Sequence, residues 1–283
     1  MTDGSPTLRR WRLGAELRRL RETAGVNPVE AAAALDVTDS TIYRIERGST
    51  GVKPRDVTAL LQLYGVTDSE TIRSLSQLAK EGKQRGWWAR YRGSITAQYA
   101  NLVGIEAVAD ELWTYNAMVI PGLLQTEGYA RALFQGAVEP ASPEQVEQRV
   151  ELRIKRQERL YGEEPLRLSS VIDESVIRRR YGGPHVMRRQ LQRLIETAQT
   201  HNVTLSVVPF DSGAHPGAVT GFILPRVSDF PQKIAYVENL SGDIWHEGED
   251  AELYYAMHEH LRTASLSADD SVRLIASVAA ELA

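Results

Sequence analysis

The stretch from Asn27 to Gly48 restricts the fold more than any other part of the chain. Asn27 has the side chain of an N-cap, Pro28 suits the first helical position, and Glu30 stands three residues after the cap. They predict a helix from Pro28 to Leu35, whose Ala31 to Ala34 run leaves room for a second helix to pack closely. Asp36-Val37 breaks it, and Thr38 is expected to cap a further helix running to about Glu46. Ile42 and Ile45 fall on the inward side of that helix. Asp39, Ser40, Thr41, Tyr43, Arg44 and Arg47 make up a polar outward face. Gly48 ends it. Leu13, Leu17, Leu20 and Ala24 recur at helical spacing ahead of Gly25, and helices at Pro54 to Tyr64 and Asp68 to Glu81 follow. The expectation is an all-α, five-helix domain over residues 1–82.

The charge distribution divides at the same place. The 283 residues hold 33 basic and 37 acidic side chains, a formal charge of −4. Residues 1–82 carry 12 basic and 11 acidic groups, so the excess acidity belongs to the remainder. Within the first part the bases bunch, at Arg9, Arg10, Arg12, Arg18, Arg19 and Arg21, then at Arg44, Arg47, Lys53 and Arg55. Such clusters are either a footprint for phosphate or solvated helix faces, and charge alone favours the second.

Leu20-Arg21, Ala31-Ala32, Leu35-Asp36-Val37-Thr38 and Ser40-Thr41-Ile42-Tyr43-Arg44-Ile45-Glu46-Arg47-Gly48 together resemble the Cro/CI-type (XRE) helix-turn-helix family over about residues 10–80. The resemblance implies that Ser40, Thr41 and Arg44, with Tyr43 beside them, read base edges in the major groove of double-stranded DNA. Arg44 is the candidate for a bidentate contact to guanine. It also implies that Arg47, Lys53 and Arg55 contact the backbone, and that Glu46 pairs with an arginine of the first helix, here Arg21. Asp39 departs from a usual base-reading residue. It either accepts from a cytosine amino group or adds to the helix N-terminus, the second being the favoured reading.

Lys83-Gln84-Arg85-Gly86-Trp87-Trp88-Ala89-Arg90-Tyr91 is a compositional break. Its aromatic and basic residues could stack on nucleic acid, but the favoured reading is an anchor of one domain on another. Beyond it, the spacing of Ile105, Val108, Leu112 and Tyr115 predicts a long helix from Ser94 to Tyr115, and Ser142-Pro143-Glu144-Gln145 opens another helix. Strands are expected at Leu166 to Ile172, Val203 to Val208, Gly221 to Val227, Ile234 to Glu238 and Asp243 to His246, with two closing helices. The expected fold class is α+β, with a mainly antiparallel sheet in residues 83–283.

Four segments are similar to the C-terminal domain of actinobacterial XRE regulators of the WhiJ-like group: Arg85-Gly86-Trp87-Trp88, Pro121 to Ala130, Gly213-Ala214-His215-Pro216-Gly217 and Tyr236-Val237-Glu238. That domain has no firmly established chemistry. It is described as antitoxin-like because a small companion protein is commonly encoded alongside it.

Catalytic signatures are sparse. The six histidines form no His-Glu-x-x-His, and His258-Glu259-His260 points its imidazoles to different helix faces, so no metal or cofactor is expected. His215, beside Pro216 and Gly217, is the best candidate for a ligand pocket, with Asp243, His246 and Glu247 able to converge on it. The chain has no cysteine, and its longest apolar runs, such as Val203 to Phe210, fall short of a membrane span. The N-terminus lacks the apolar segment of a secretory signal, so a cytoplasmic protein is expected. The expectation is a non-enzymatic homodimeric regulator on a palindromic DNA site, modulated through its second domain by a companion protein or a small-molecule effector. An enzyme fused to a DNA-binding domain, and a scaffold or antitoxin acting by protein contact, are the alternatives.

Overall fold

The computed structural model describes residues 5–137, 141–228, 230–239 and 242–282. Part of the N-terminal stretch read against a signal segment, residues 1–4, lies outside them. Two compact units result. The first runs to Arg90 and includes Ala100–Val108; the second comprises Tyr91–Tyr99 and Ala109 onward.

In the first unit α1 (Pro6–Thr23), α2 (Pro28–Leu35), α3 (Asp39–Glu46), α4 (Pro54–Leu63) and α5 (Ser69–Glu81) follow one another through short turns. Helix α1 begins earlier than its apolar spacing indicates, because Ser5 caps the N–H of Thr7 and Pro6 takes the first helical position. Asn27 and Glu30 form the reciprocal capping box of α2. At its other end Asp36 adopts φ 55°, the left-handed conformation that reverses the chain into α3, and the N–H of Val37 donates to Ala32. Leu13, Leu17, Ala31, Ile42, Ile45, Val57, Leu60, Leu61 and Leu75 make up the core.

The expected boundary at residue 82 differs from this division. Residues beyond it stay with the first unit because Arg10 holds them. Its guanidinium donates to the carbonyls of Gly48 and Gly82 and to Asn101 Oδ1, residues far apart in sequence. Trp88, in the short 3-10 helix Trp87–Tyr91, packs against Gly104 in helix α6 (Ala97–Glu106).

The second unit is built on a six-stranded mixed sheet in the order β3-β2-β1-β4-β5-β6. The strands are β1 (Glu111–Asn116), β2 (Arg167–Asp173), β3 (Val203–Val208), β4 (Phe222–Arg226), β5 (Ile234–Val237) and β6 (Ile244–Glu247). β1, β2 and β3 run parallel, while β4, β5 and β6 continue antiparallel from β1. Helices α7 (Glu127–Gln135) and α8 (Pro143–Gln157) lie between β1 and β2 in the chain. Helices α9 (Glu174–Arg178) and α10 (Gly183–Thr197) lie between β2 and β3, and α11 (Glu249–Ala264) and α12 (Ala268–Ala280) end it.

The two sheet faces bury different sets of residues. Leu112, Leu168, Ile172, Val203, Leu205 and Val207 pack with Met187, Leu191 and Leu194 of α10 and with Ile275 and Val278 of α12. On the opposite face, Tyr115, Val171, Val208, Phe222 and Leu224 pack with Ala251 and Leu261 of α11. Edge strand β3 is closed off by its surroundings: Ser271 Oγ accepts from the N–H of Val207, and its carbonyl accepts from Leu266.

The expected helix from Ser94 to Tyr115 is corrected. Helix α6 ends at Glu106, and Glu111–Asn116 is the central strand β1, paired on both sides. Leu112 and Tyr115 fit a helical spacing, but Leu-Trp-Thr-Tyr is rich in strand formers, and burial between β2 and β4 decides the conformation. Among the described residues no helix is long and apolar enough to cross a membrane.

Candidate nucleic-acid interface

Helix α3 is held from behind and left open in front. Ile42 and Ile45 are buried, whereas Ser40, Tyr43, Arg44 and Arg47 are exposed and Thr41 is half-buried. The helix is held close to α1: a Cβ on Gly14 would collide with the carbonyl oxygens of Ile45 and Glu46. Gly48, at φ 61°, presses on Trp11 in the same way.

A buried ion pair fixes the end of α3. Arg21 Nε and Nη2 donate to the two carboxylate oxygens of Glu46 at 2.6 and 3.0 Å, and Nη1 reaches the carbonyl of Val26 at 3.0 Å. Both side chains are less than a tenth exposed. The hydrogen bond to Glu46 outweighs burial and raises the Arg21 pKa above its ordinary value. Tyr64 lies close by; burial, and then the charge of Glu46, push its phenol up. Tyr43 and Arg47 line a shallow cavity with Arg21 and Glu46, so the pair supports the exposed surface directly.

Most of the arginines of α1 are engaged within the protein. Arg18 pairs with Glu22, Arg19 with Glu16, and Arg10 and Arg21 hold the bundle together. Around α3 the situation is different. Arg44, Arg47 and Lys53 have no carboxylate partner among the described residues, while Arg55 contacts Asp56 at 3.0 Å. Arg44 touches only the hydroxyl of Thr41, at 3.3 Å. The Thr38 hydroxyl bonds to those of Ser40 and Thr41 and makes no cap, contrary to its expected role. Asp39 accepts from the N–H of Ser40 at 2.7 Å. The result is an exposed helix face bearing hydroxyls, a phenol and uncommitted guanidinium groups, flanked by a lysine: the donors that base edges and phosphates accept.

The three residues expected to form a ligand pocket in the second unit are not gathered at one point. His215 Nε2 lies 3.8 Å from Asp173 Oδ2, at the end of β2, and its ring meets Tyr115 edge-on at 6.4 Å. His246 sits against Tyr254 at 4.9 Å. Asp243 faces a separate cavity, where its carboxylate accepts from the Thr96 hydroxyl at 3.1 Å. Residues without a sequence signature therefore surround His215. Asp173 alone has one, as the polar end of a buried strand. No group of three or more potential metal ligands occurs among the described residues.

Within the Pro121 to Ala130 segment, the turn that leads into α7 is held by amide side chains. Gln190 donates to the carbonyl of Leu124 and accepts from the N–H of Thr126, both at 2.7 Å. Gln157 and Gln125 bond further backbone groups of the same turn.

A helix-turn-helix domain family matches residues 12–73. No curated protein and no solved structure matches the chain. A second family matches residues 99–277, most of the sheet-bearing unit and well over half of the sequence. On that match the chain belongs to the family described as Domain of unknown function (DUF5753), carried here behind a helix-turn-helix domain.

Proposed function

We propose that this protein is a sequence-specific DNA-binding regulator that acts as a homodimer on a palindromic site. The observation that carries this reading is α3: an exposed polar face on a rigid, buried mount, with Arg44, Arg47 and Lys53 left without internal carboxylates. Ser40, Thr41, Tyr43 and Arg44 read bases, and Arg47, Lys53 and Arg55 hold phosphates. In a dimer the two α3 helices enter successive major grooves about 34 Å apart. The DUF5753 unit carries dimerisation and receives the signal, from a companion protein or a small effector. A coupling of about 1–3 kcal/mol between the two functions changes operator affinity by roughly 5–150-fold.

The test is footprinting of the full chain on the DNA upstream of its own coding sequence, at two salt concentrations, with and without the product of a neighbouring small gene. A protected palindrome whose occupancy that product alters supports the reading in full. A protected palindrome indifferent to the product assigns the signal to a small molecule. Protection of no site at either salt contradicts DNA regulation.

A further inference from the structure

In the second unit the order of the strands reverses beside β1. From β1 the chain builds outward through β2 to β3, then returns to place β4 on the other side of β1. Strand β4 runs antiparallel, with Phe222 opposite Tyr115, so the connection 209–221 crosses the carboxyl ends of β2 and β1. Sheets with parallel strands bind ligands at such a place, outside the strand ends and where the order reverses.

The crossing covers polar atoms that lack partners. Tyr115 is fully buried, and its hydroxyl makes no hydrogen bond. Gly217 lies so close to that hydroxyl that a Cβ there would collide with it. His215 Nδ1 is also buried without a partner; its ring stands edge-on to Tyr115, and its Nε2 faces Asp173 Oδ2 at 3.8 Å. The other oxygen of Asp173 accepts from the N–H of Ser175 at 2.9 Å. Two further oxygens at this end of the sheet are buried and unpaired, Asn116 Oδ1 on the last residue of β1 and Ser212 Oγ just after β3. The side chains of His215 and Asp173 remain 15% and 18% exposed, so the place opens to solvent on their side. On the same connection Phe210 and Val219 are 61% and 84% exposed. Buried polar atoms are normally paired, so a crossing that leaves several unpaired beneath two exposed apolar side chains is built for a further partner.

The two facing groups select its chemistry. Burial, and then the charge of Asp173, push the Tyr115 phenol up, so it keeps its proton and can donate. A neutral imidazole that turns its Nε2–H towards Asp173 presents Nδ1 as an acceptor. A hydroxyl group answers both, accepting from the phenol and donating to the imidazole. An ether cannot donate and an ammonium cannot accept.

We propose that the crossing over β1 and β2 binds a small uncharged alcohol, its hydroxyl held between Tyr115 and His215 and its apolar body against Phe210 and Val219. Gly217 moves off the phenol as the ligand enters. The assignment does not depend on DNA binding, so its failure and the failure of the regulator reading are distinguishable.

The experiment is calorimetric titration of the full-length protein with benzyl alcohol, cyclohexanol and 1-hexanol, each beside its methyl ether. At least one alcohol is expected to bind about tenfold or more tightly than its ether. Tyr115→Phe is expected to weaken that alcohol towards the level of the ether. It should also raise the melting temperature of the ligand-free protein by about 2–4 °C, because it removes an unpaired buried hydroxyl. A hydroxyl with a purely structural role would lower the melting temperature instead. His215→Phe is expected to weaken the alcohol and leave the ether unchanged. No binding of any of the three alcohols at millimolar concentration overturns the proposal. So does equal affinity for every alcohol and its ether, or a lower melting temperature for Tyr115→Phe.

Discussion

At the residue scale, the positions that matter most are those where a polar group has been buried with its partner. Arg21 and Glu46 could be matched from sequence only through family resemblance, because 25 residues separate them and neither shows a local signal. Their pairing predicts a double-mutant cycle. Glu46→Leu leaves a buried guanidinium without its carboxylate and costs about 3–5 kcal/mol, Arg21→Met leaves the carboxylate unpaired at a similar cost, and the double variant restores most of either loss. Urea unfolding of the four proteins measures it; additive losses would contradict a coupled pair. Asp36 is the reverse case, a side chain in the left-handed region that glycine occupies without strain. Asp36→Gly is therefore expected to raise stability by about 0.5–1 kcal/mol in the same assay, and a loss would mean that the Asp36 side chain holds the turn. Arg10 was legible only as one member of a basic cluster. Its actual partners, at Gly48, Gly82 and Asn101, are backbone and amide groups that no charge pattern announces.

Elements were legible where local chemistry and tertiary packing agree. Asn27-Pro28 with Glu30 and Ser142-Pro143 with Gln145 both cap the helices expected of them. The strand Val203–Val208 alternates as its burial does. β1 was missed because its apolar residues also fit a helical repeat, and only its two neighbouring strands resolve the ambiguity. The parallel pairing of β1, β2 and β3 was hidden for a related reason: strand direction is set by the crossover helices, not by the strand sequences. Packing of α11 on β1 carries a pH prediction. His258 is buried and stacks on Trp113 at 4.9 Å, with neither ring nitrogen bonded; Glu111, Glu259 and Arg262 are the charged groups that act on it. Burial lowers its pKa from 6.5 to about 4. The unfolded chain thus takes the proton first as pH falls, so this contribution is complete above pH 6.5 and is lost progressively towards pH 4. Between pH 7 and 5 the wild type should lose about 2 kcal/mol more stability than His258→Leu. Parallel pH profiles for the two proteins would show that His258 is not buried in its neutral form.

At the scale of the whole molecule, two units divide the chemistry. The first presents cations on α3 while most arginines of α1 are engaged internally, and this explains how a chain of net charge −4 can offer a surface to phosphate. The bunching of bases in the sequence showed where positive charge lies, but not which members are free, because partner choice depends on the folded bundle. For the second unit, the sequence pointed to His215, Asp243 and His246 as one pocket. The fold instead distributes them over the end of β2, the Tyr254 ring and the cavity beside α8. The central claim is that α3 reads DNA through Arg44 and holds it through Arg47. The direct measurement is fluorescence anisotropy of the wild type, Arg44→Ala and Arg47→Ala on a selected duplex and its scrambled counterpart, across a series of salt concentrations. The account predicts that Arg44→Ala costs about 1–3 kcal/mol on the selected duplex and little on the scrambled one. Arg47→Ala should weaken both and reduce the salt slope by about one. Equal losses for both variants on both duplexes, with unchanged slopes, would contradict it.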